Sequence, residues 1–370
     1  MGKIIYLDNA ATTRVKEEVV RVMQEYLVKE YGNPSSLHQS GENAKKAVNG
    51  ARDKLAKEIN ANSREIIFTS GGTESNNLAI LGAAGAYPNK KKIIVGSAEH
   101  PSVLETCEFL EKKNYDIIKI PADKDGIIRI SELETEIKKN CKEILLASFM
   151  HVNNITGTIQ DVARIGKICR ENNVFFHSDG AQSFGKLEID VKKMSIDLFS
   201  ASAHKIGGPK GIGFLYIKEG IKINPIIFGG GQERGLRSGT ENVPAIAGFA
   251  KALEISRRTD KKKILKLRDK IILELEKIGG EISGSKEKRI YNNIAVSFPE
   301  IESEALVIYL SQKKIYVSAG SACDSNKEFE KAAHDEKELI RITLNEDLSY
   351  KDAEYLINEI KKAVKIFSLK

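Results

Sequence analysis

The sequence predicts an α/β protein with a mainly parallel central sheet in a large domain and a smaller α+β domain after it. Three observations carry this reading. Apolar strand-like runs alternate with helical runs through the first part of the chain. Those runs are continuous rather than alternating, as in a sheet covered on both faces. After about residue 243 the texture changes to a lysine-rich helical stretch followed by short strands. A length of 370 residues suits two domains.

Taken in order, "EIIFTS" (65–70) reads as a strand and "TESNNLAILGAAGA" as the helix after it. "KIIVGS" (92–97) is a second strand, and a helix runs from Pro101 to about Lys113. "YDIIKI", "EILLASFM" and "NVFFHSD" are further strands with helical patterns between them, and "DLFSAS" precedes a glycine-rich turn. This βαβα order implies right-handed crossovers, with ligands at the C-terminal strand ends. Beyond residue 243 one long helical stretch is expected to about Ile278. "NNIAVSFP", a helix near 302–312, "KIYVSAGSA", "LIRITL" and a terminal helix follow.

Composition excludes several function classes. The net charge of +7, from 58 Lys plus Arg against 51 Asp plus Glu, is a mild bias spread over helical faces. No basic strip interleaved with aromatics points to direct nucleic-acid binding. No apolar run reaches the roughly 18 residues of a membrane span, and the N-terminus lacks a signal-peptide core. Cys107, Cys141, Cys169 and Cys323 stand far apart without CxxC. That spacing argues against a disulfide framework or a metal site and fits a reducing, cytoplasmic setting.

Five strand ends carry polar residues. Gly71-Gly72 before Thr73 reads either as a tight turn or as an anion site at a helix N-terminus. His100 sits just before Pro101, where a structural role competes with a chemical one. Asn153 and Asn154 in "MHVNNITG" read equally as a turn. Asp179 in "FFHSDGAQS" needs a partner, since burial alone would raise its pKa. A helix cap or a cationic ring nitrogen would serve, and Gln182 follows three residues on. Lys205 in "SASAHKIGGPKG" has the setting of a lysine nucleophile for carbonyl groups. An aspartate able to hold a pyridinium, a lysine 26 positions later and a phosphate site at Gly72-Thr73 together suggest pyridoxal 5′-phosphate (PLP).

At this point the chain resembles the cysteine desulfurases of the NifS/IscS kind, within the class V aminotransferase group of fold-type-I PLP enzymes. "YLDNAATT", "YGNPSSLH", "FTSGGTESNNLAI", "EHPSVL", "MHVNNITGTIQDV", "DGAQS", "SAHKIGGPKGIGFLY", "GGGQERGLRSGTENVPAIAGFA" and "SAGSAC" carry the resemblance, in the family's order. It implies a large PLP-binding domain of residues 14–257. A small domain of residues 1–13 and 258–370 would carry the catalytic cysteine loop.

The resemblance implies roles residue by residue. Lys205 would bond the cofactor, Asp179 would pair with its ring nitrogen, and Gln182 would bond its ring hydroxyl. His100 would stack on the ring and move protons. Gly72, Thr73, Ser202 and His204 would hold the phosphate, joined by Thr240 from the partner subunit of a homodimer. Asn154 would contact the cofactor and, with Arg341, the substrate carboxylate. Cys323 would attack the sulfur of L-cysteine, carry it as a persulfide and pass it to an iron–sulfur scaffold or a tRNA thiolation enzyme. The chain departs from the family after Cys323, where a Ser/Gly-rich segment is replaced by the charged "CDSNKEFEKAAHDEKELIR", with Arg341 only 18 positions on. It departs again at "TLNEDLSYKD", where the family often has "SLGRFTTEEE".

Overall fold

The computed structural model describes residues 3–299, 301–320 and 338–367. The chain enters through β1 (Ile5–Tyr6), α1 (Glu17–Val28) and α2 (Gln39–Glu58). Strand and helix then alternate: β2 (Ile66–Thr69), α3 (Gly72–Ala86), β3 (Lys92–Gly96), α4 (Pro101–Glu111), β4 (Asp116–Ile120), α5 (Ile130–Asn140), β5 (Ile144–Ser148), α6 (Val162–Glu171) and β6 (Phe175–Asp179). Two more strands, β7 (Leu198–Ser202) and β8 (Gly213–Ile217), complete a seven-stranded sheet of order β2-β8-β7-β6-β5-β3-β4.

Five of these strands run parallel, while β8 pairs antiparallel with both β7 and β2. Because β8 reverses twice, β2 points the same way as β7. The C-terminal ends of β2, β3, β5, β6 and β7 therefore lie along one edge of the sheet.

The continuous apolar runs are explained by burial on both faces. Ile66, Phe68, Phe199, Ala201, Phe214 and Tyr216 pack in the core that also takes residues of α2, α5 and α6. Their neighbours Ile67, Leu198, Leu215 and Ile217 pack on the opposite face, with α3 and α4.

The single long helix expected beyond residue 243 is two helices, α7 (Val243–Ser256) and α8 (Lys261–Glu276). The break lies at residues 257–260, and Asp260 caps α8 by accepting the Lys263 amide. The two helices serve different cores. Val243, Ile246, Phe249 and Leu253 join the core beside the large sheet. Ile264, Leu267, Ile271 and Leu275 join a separate one with Ile5, Leu7 and residues through Ala363. That second core is built on β9 (Glu281–Ile282), β10 (Asn293–Ser297), α9 (Ser303–Gln312), β11 (Ile315–Tyr316), β12 (Ser318–Ala319), β13 (Ile340–Thr343) and α10 (Tyr350–Phe367). Its four-stranded sheet has the order β12-β13-β10-β9 with antiparallel pairs, while β1 pairs parallel with β11.

Candidate active site

The shared strand edge gathers the sequence-predicted residues into one cleft of about 340 Å3. Gly72, Thr73, His100, Asn154, Asp179, Gln182, Ser202, His204, Lys205 and Arg341 all line it. Thr240 does not; it is exposed, on the loop between β8 and α7. Cys323 lies outside the described residues.

Each position has a local cause. Gly71-Gly72 end β2 and start α3, so the first turn of α3 opens on the cleft with its N–H groups and positive dipole end. His100 caps α4 from the loop after β3, with Pro101 at the first helical position, where a missing N–H costs nothing. Asn153 makes the turn after β5 by accepting the Ile155 and Thr156 amides on its side-chain oxygen. That leaves Asn154 at the cleft, where its backbone carbonyl accepts Arg341 Nη1 at 3.1 Å.

Asp179 is 7% exposed and has found neutral partners. Its Oδ1 accepts the Ala181 amide at 2.8 Å, and its Oδ2 accepts Asn76 Nδ2 at 2.7 Å. Lys205 follows β7 in a short 3-10 turn, and its Nζ donates to the carbonyls of Ala10 and Ala11 at 2.6 and 2.9 Å. The Ala10 carbonyl also accepts Gln182 Nε2 at 2.9 Å. His204 is bonded through Nδ1 to the Thr12 hydroxyl at 3.1 Å. The segment "NAATT" thus lies directly under the lysine.

Positive charge dominates the electrostatics. Burial first, then Lys205 and Arg341, pull the Lys186 ammonium pKa down to about 7. Burial, then Lys205, Lys210 and Lys186, bring His204 down to about 4. Asp8 accepts Arg341 Nη2 at 2.9 Å, while among the described residues the buried Nε of Arg341 has no hydrogen-bond partner. A cleft lined by Lys205 and Arg341, with the Lys186 amine buried behind Gln182, is suited to receive anions.

Sequence reasoning did not single out Asp8, Thr12, Asn76, Ser102 or Lys186. Lys186 donates to Gln182 Oε1 at 3.0 Å and so fixes that amide. Asn76 carried a usable signal: it stands four residues after Gly72 on the same helix and so faces the same way.

This donor set fits PLP. An amine, a buried carboxylate, a helix N-terminus and a guanidinium surround a cleft within the usual volume of a small-molecule site. The chain belongs to the class-V aminotransferase family, whose model matches residues 5–356. Within that family it stands with the cysteine desulfurases. It is 46% identical to cysteine desulfurase IscS of Methanosarcina thermophila over 88% of this chain and 81% of that one. Among solved structures it is similar to a NifS-like protein, with a TM-score of 0.92 and 36% identity over 98% of this chain and 100% of that one. It is also similar to SspA in complex with cysteine, with a TM-score of 0.82 and 34% identity over 92% and 99% of the two chains. The family is PLP-dependent, and PLP is the cofactor of this enzyme.

Proposed function

We propose that this protein removes sulfur from L-cysteine, releases L-alanine and holds the sulfur as a persulfide on Cys323 for transfer to an acceptor protein. One observation carries the reading: Lys205, Asp179, His100 and Arg341 converge on one cleft, on a chain of this family.

Lys205 bonds the cofactor, Asp179 holds its ring nitrogen and Gln182 its ring hydroxyl. Gly72, Thr73, Ser202 and His204 hold its phosphate, completed by Thr240 from the partner subunit of a homodimer. When bound, PLP supplies an electron sink that lets an amino acid lose its α-proton. Arg341 and Asn154 hold the substrate carboxylate, a group that suits a guanidinium fork. His100 moves protons beside the reacting carbon. The Cys323 thiolate attacks the substrate sulfur, and the Cβ–S bond breaks with its electron pair on the carbon side. That carbon takes a proton and becomes the methyl group of alanine.

Two of the other cysteines support this assignment. Cys107 and Cys169 are buried, and burial pushes the Cys107 thiol up to about 12, away from the reactive thiolate. The same proposal covers the division into residues 14–257 and residues 1–13 with 258–370. It also includes a cytoplasmic setting and an acceptor that is an iron–sulfur scaffold or a tRNA thiolation enzyme. Among the described residues no helix is long and apolar enough to cross a membrane.

The test uses PLP-loaded protein, L-cysteine and a thiol reductant, with alanine and sulfide quantified together. Equal amounts of both are expected. Cys323→Ser should keep bound PLP and lose turnover; Lys205→Ala should lose the covalent attachment of PLP. Sulfide release by Cys323→Ser at the parent rate would remove that residue from the mechanism. A PLP-loaded protein giving neither product would mean a different substrate.

A further inference from the structure

His100 is fixed by a short chain of hydrogen bonds that begins at Asp179. Asn76 Nδ2 donates to Asp179 Oδ2 at 2.7 Å and to Ser102 Oγ at 2.8 Å. Both N–H groups of the amide are used, and a flipped amide would turn its oxygen toward the carboxylate. The direction of the next bond follows. Ser102 Oγ accepts from Asn76, so its own hydrogen is available to His100 Nδ1, 2.8 Å away. The Ser102 backbone amide, which can only donate, also points at Nδ1, at 3.1 Å. A hydrogen on Nδ1 would face that amide hydrogen. The neutral ring therefore carries its hydrogen on Nε2, the nitrogen turned away from the first turn of α4.

We infer that Asn76 and Ser102 are positioning residues that hold His100 with its hydrogen on Nε2, as a hydrogen-bond donor over the cleft, and tie its orientation to Asp179. The inference rests on the reading of this cleft as the site of cysteine desulfuration. In the resting enzyme the neutral ring presents an N–H, and no lone pair, at Nε2. To accept one there it would first have to move its hydrogen to Nδ1, against the Ser102 amide. His100 therefore enters the reaction as a hydrogen-bond donor rather than as a base at Nε2, and the first proton abstraction belongs to another group. Asn76 and Ser102 are both buried, at 1% and 8% exposure, so water does not compete for these bonds. Among the described residues Asn76 Oδ1 has no hydrogen-bond partner, so the two donors are what this side chain contributes here.

The experiment is ring 15N spectroscopy of histidine-labelled, PLP-loaded enzyme without substrate, with His100 assigned from a His100→Asn sample. The expected result is an unprotonated, hydrogen-bonded Nδ1 and a protonated Nε2. Ser102→Ala and Asn76→Ala should each bring Nδ1–H into the ring population and lower kcat on L-cysteine about tenfold with KM nearly unchanged. Ser102→Thr, which restores a hydroxyl, should recover both. A parent ring with hydrogen on Nδ1 would overturn the inference, as would a Ser102→Ala enzyme with unaltered ring signals and kcat. If the parent enzyme makes neither alanine nor sulfide, the functional reading fails instead. The ring spectrum, recorded without substrate, still decides the tautomer.

Discussion

Glu233, in "GGGQERG", shows what a single residue can hold. It and Arg234 adopt left-handed backbone, with φ of 47° and 59°, a conformation that non-glycine residues reach only under constraint. The constraint is the Glu233 carboxylate. It accepts Arg52 Nη1 and Nη2 at 2.7 and 2.6 Å and the Phe68 amide at 2.8 Å. Both side chains of the pair are buried. The motif's glutamate thus staples the loop that bears Thr240 to α2 and β2. Glu233→Ala would strand Arg52 as an uncompensated buried charge, and about 3–5 kcal/mol of stability should be lost. A thermal melt lowered by many degrees is the expected result; an unchanged melt would show that the pair contributes nothing net.

Among the elements, the sheet was the most legible part of the sequence. "KIIVGS" and "NVFFHSD" became β3 and β6 because no other element buries such short apolar runs on both sides. The reversal of β8 was not legible, since "GFLYI" reads the same in either direction. The break between α7 and α8 was hidden by continuous lysine spacing, although Asp260 before "KKKIL" is a cap signal that composition overrode. In the site, Asp179, His100 and Lys205 were visible as polar residues ending apolar strands. Their supports were not: Asn76 lies 103 positions from Asp179, and the carbonyls under Lys205 lie 194 and 195 positions away. Sequence patterns report local periodicity, and these bonds are long-range. The turn after β6 gives an element-scale test. A Cβ on Gly180 would overlap the Phe199 ring of β7. Gly180→Ala should cost about 1–3 kcal/mol through displacement of that ring and should weaken PLP binding by shifting Asp179. PLP affinity and stability equal to the parent would refute this.

At the scale of the whole molecule, buried titratable groups give the protein an acid limit. Burial, aided at His204 by the nearby lysines, brings His151, His177 and His204 each down to about 4 from the usual 6.5. Between those values the unfolded chain binds protons that the folded chain excludes. These groups therefore contribute stability above pH 6.5, and it is lost as pH falls toward 4. Glu99 acts with the opposite sign: burial raises its pKa well above 4.5, so the folded chain keeps a proton that the unfolded chain releases as pH rises. Three histidines against one glutamate leave a net loss toward acid. Calorimetric Tm should fall steadily from pH 6.5 to 4.5, and a flat or rising Tm over that range would contradict the assignment.

The first thirteen residues have a consequence for the life of the chain. β1 lies in the small sheet's core, Asn9 donates to the Thr343 carbonyl, Ala10 and Ala11 receive Lys205, and Thr13 bonds His204. These few residues are the tie-rod between the two hydrophobic cores. A protease that nicked the chain just after Arg14, or a start at Met23, would leave every proposed active-site side chain in the polypeptide. The reactive amine would nonetheless have lost its seat, and β11 its parallel partner. Quality control for such a product cannot rest on the presence of the active-site residues; it has to look at the amino terminus.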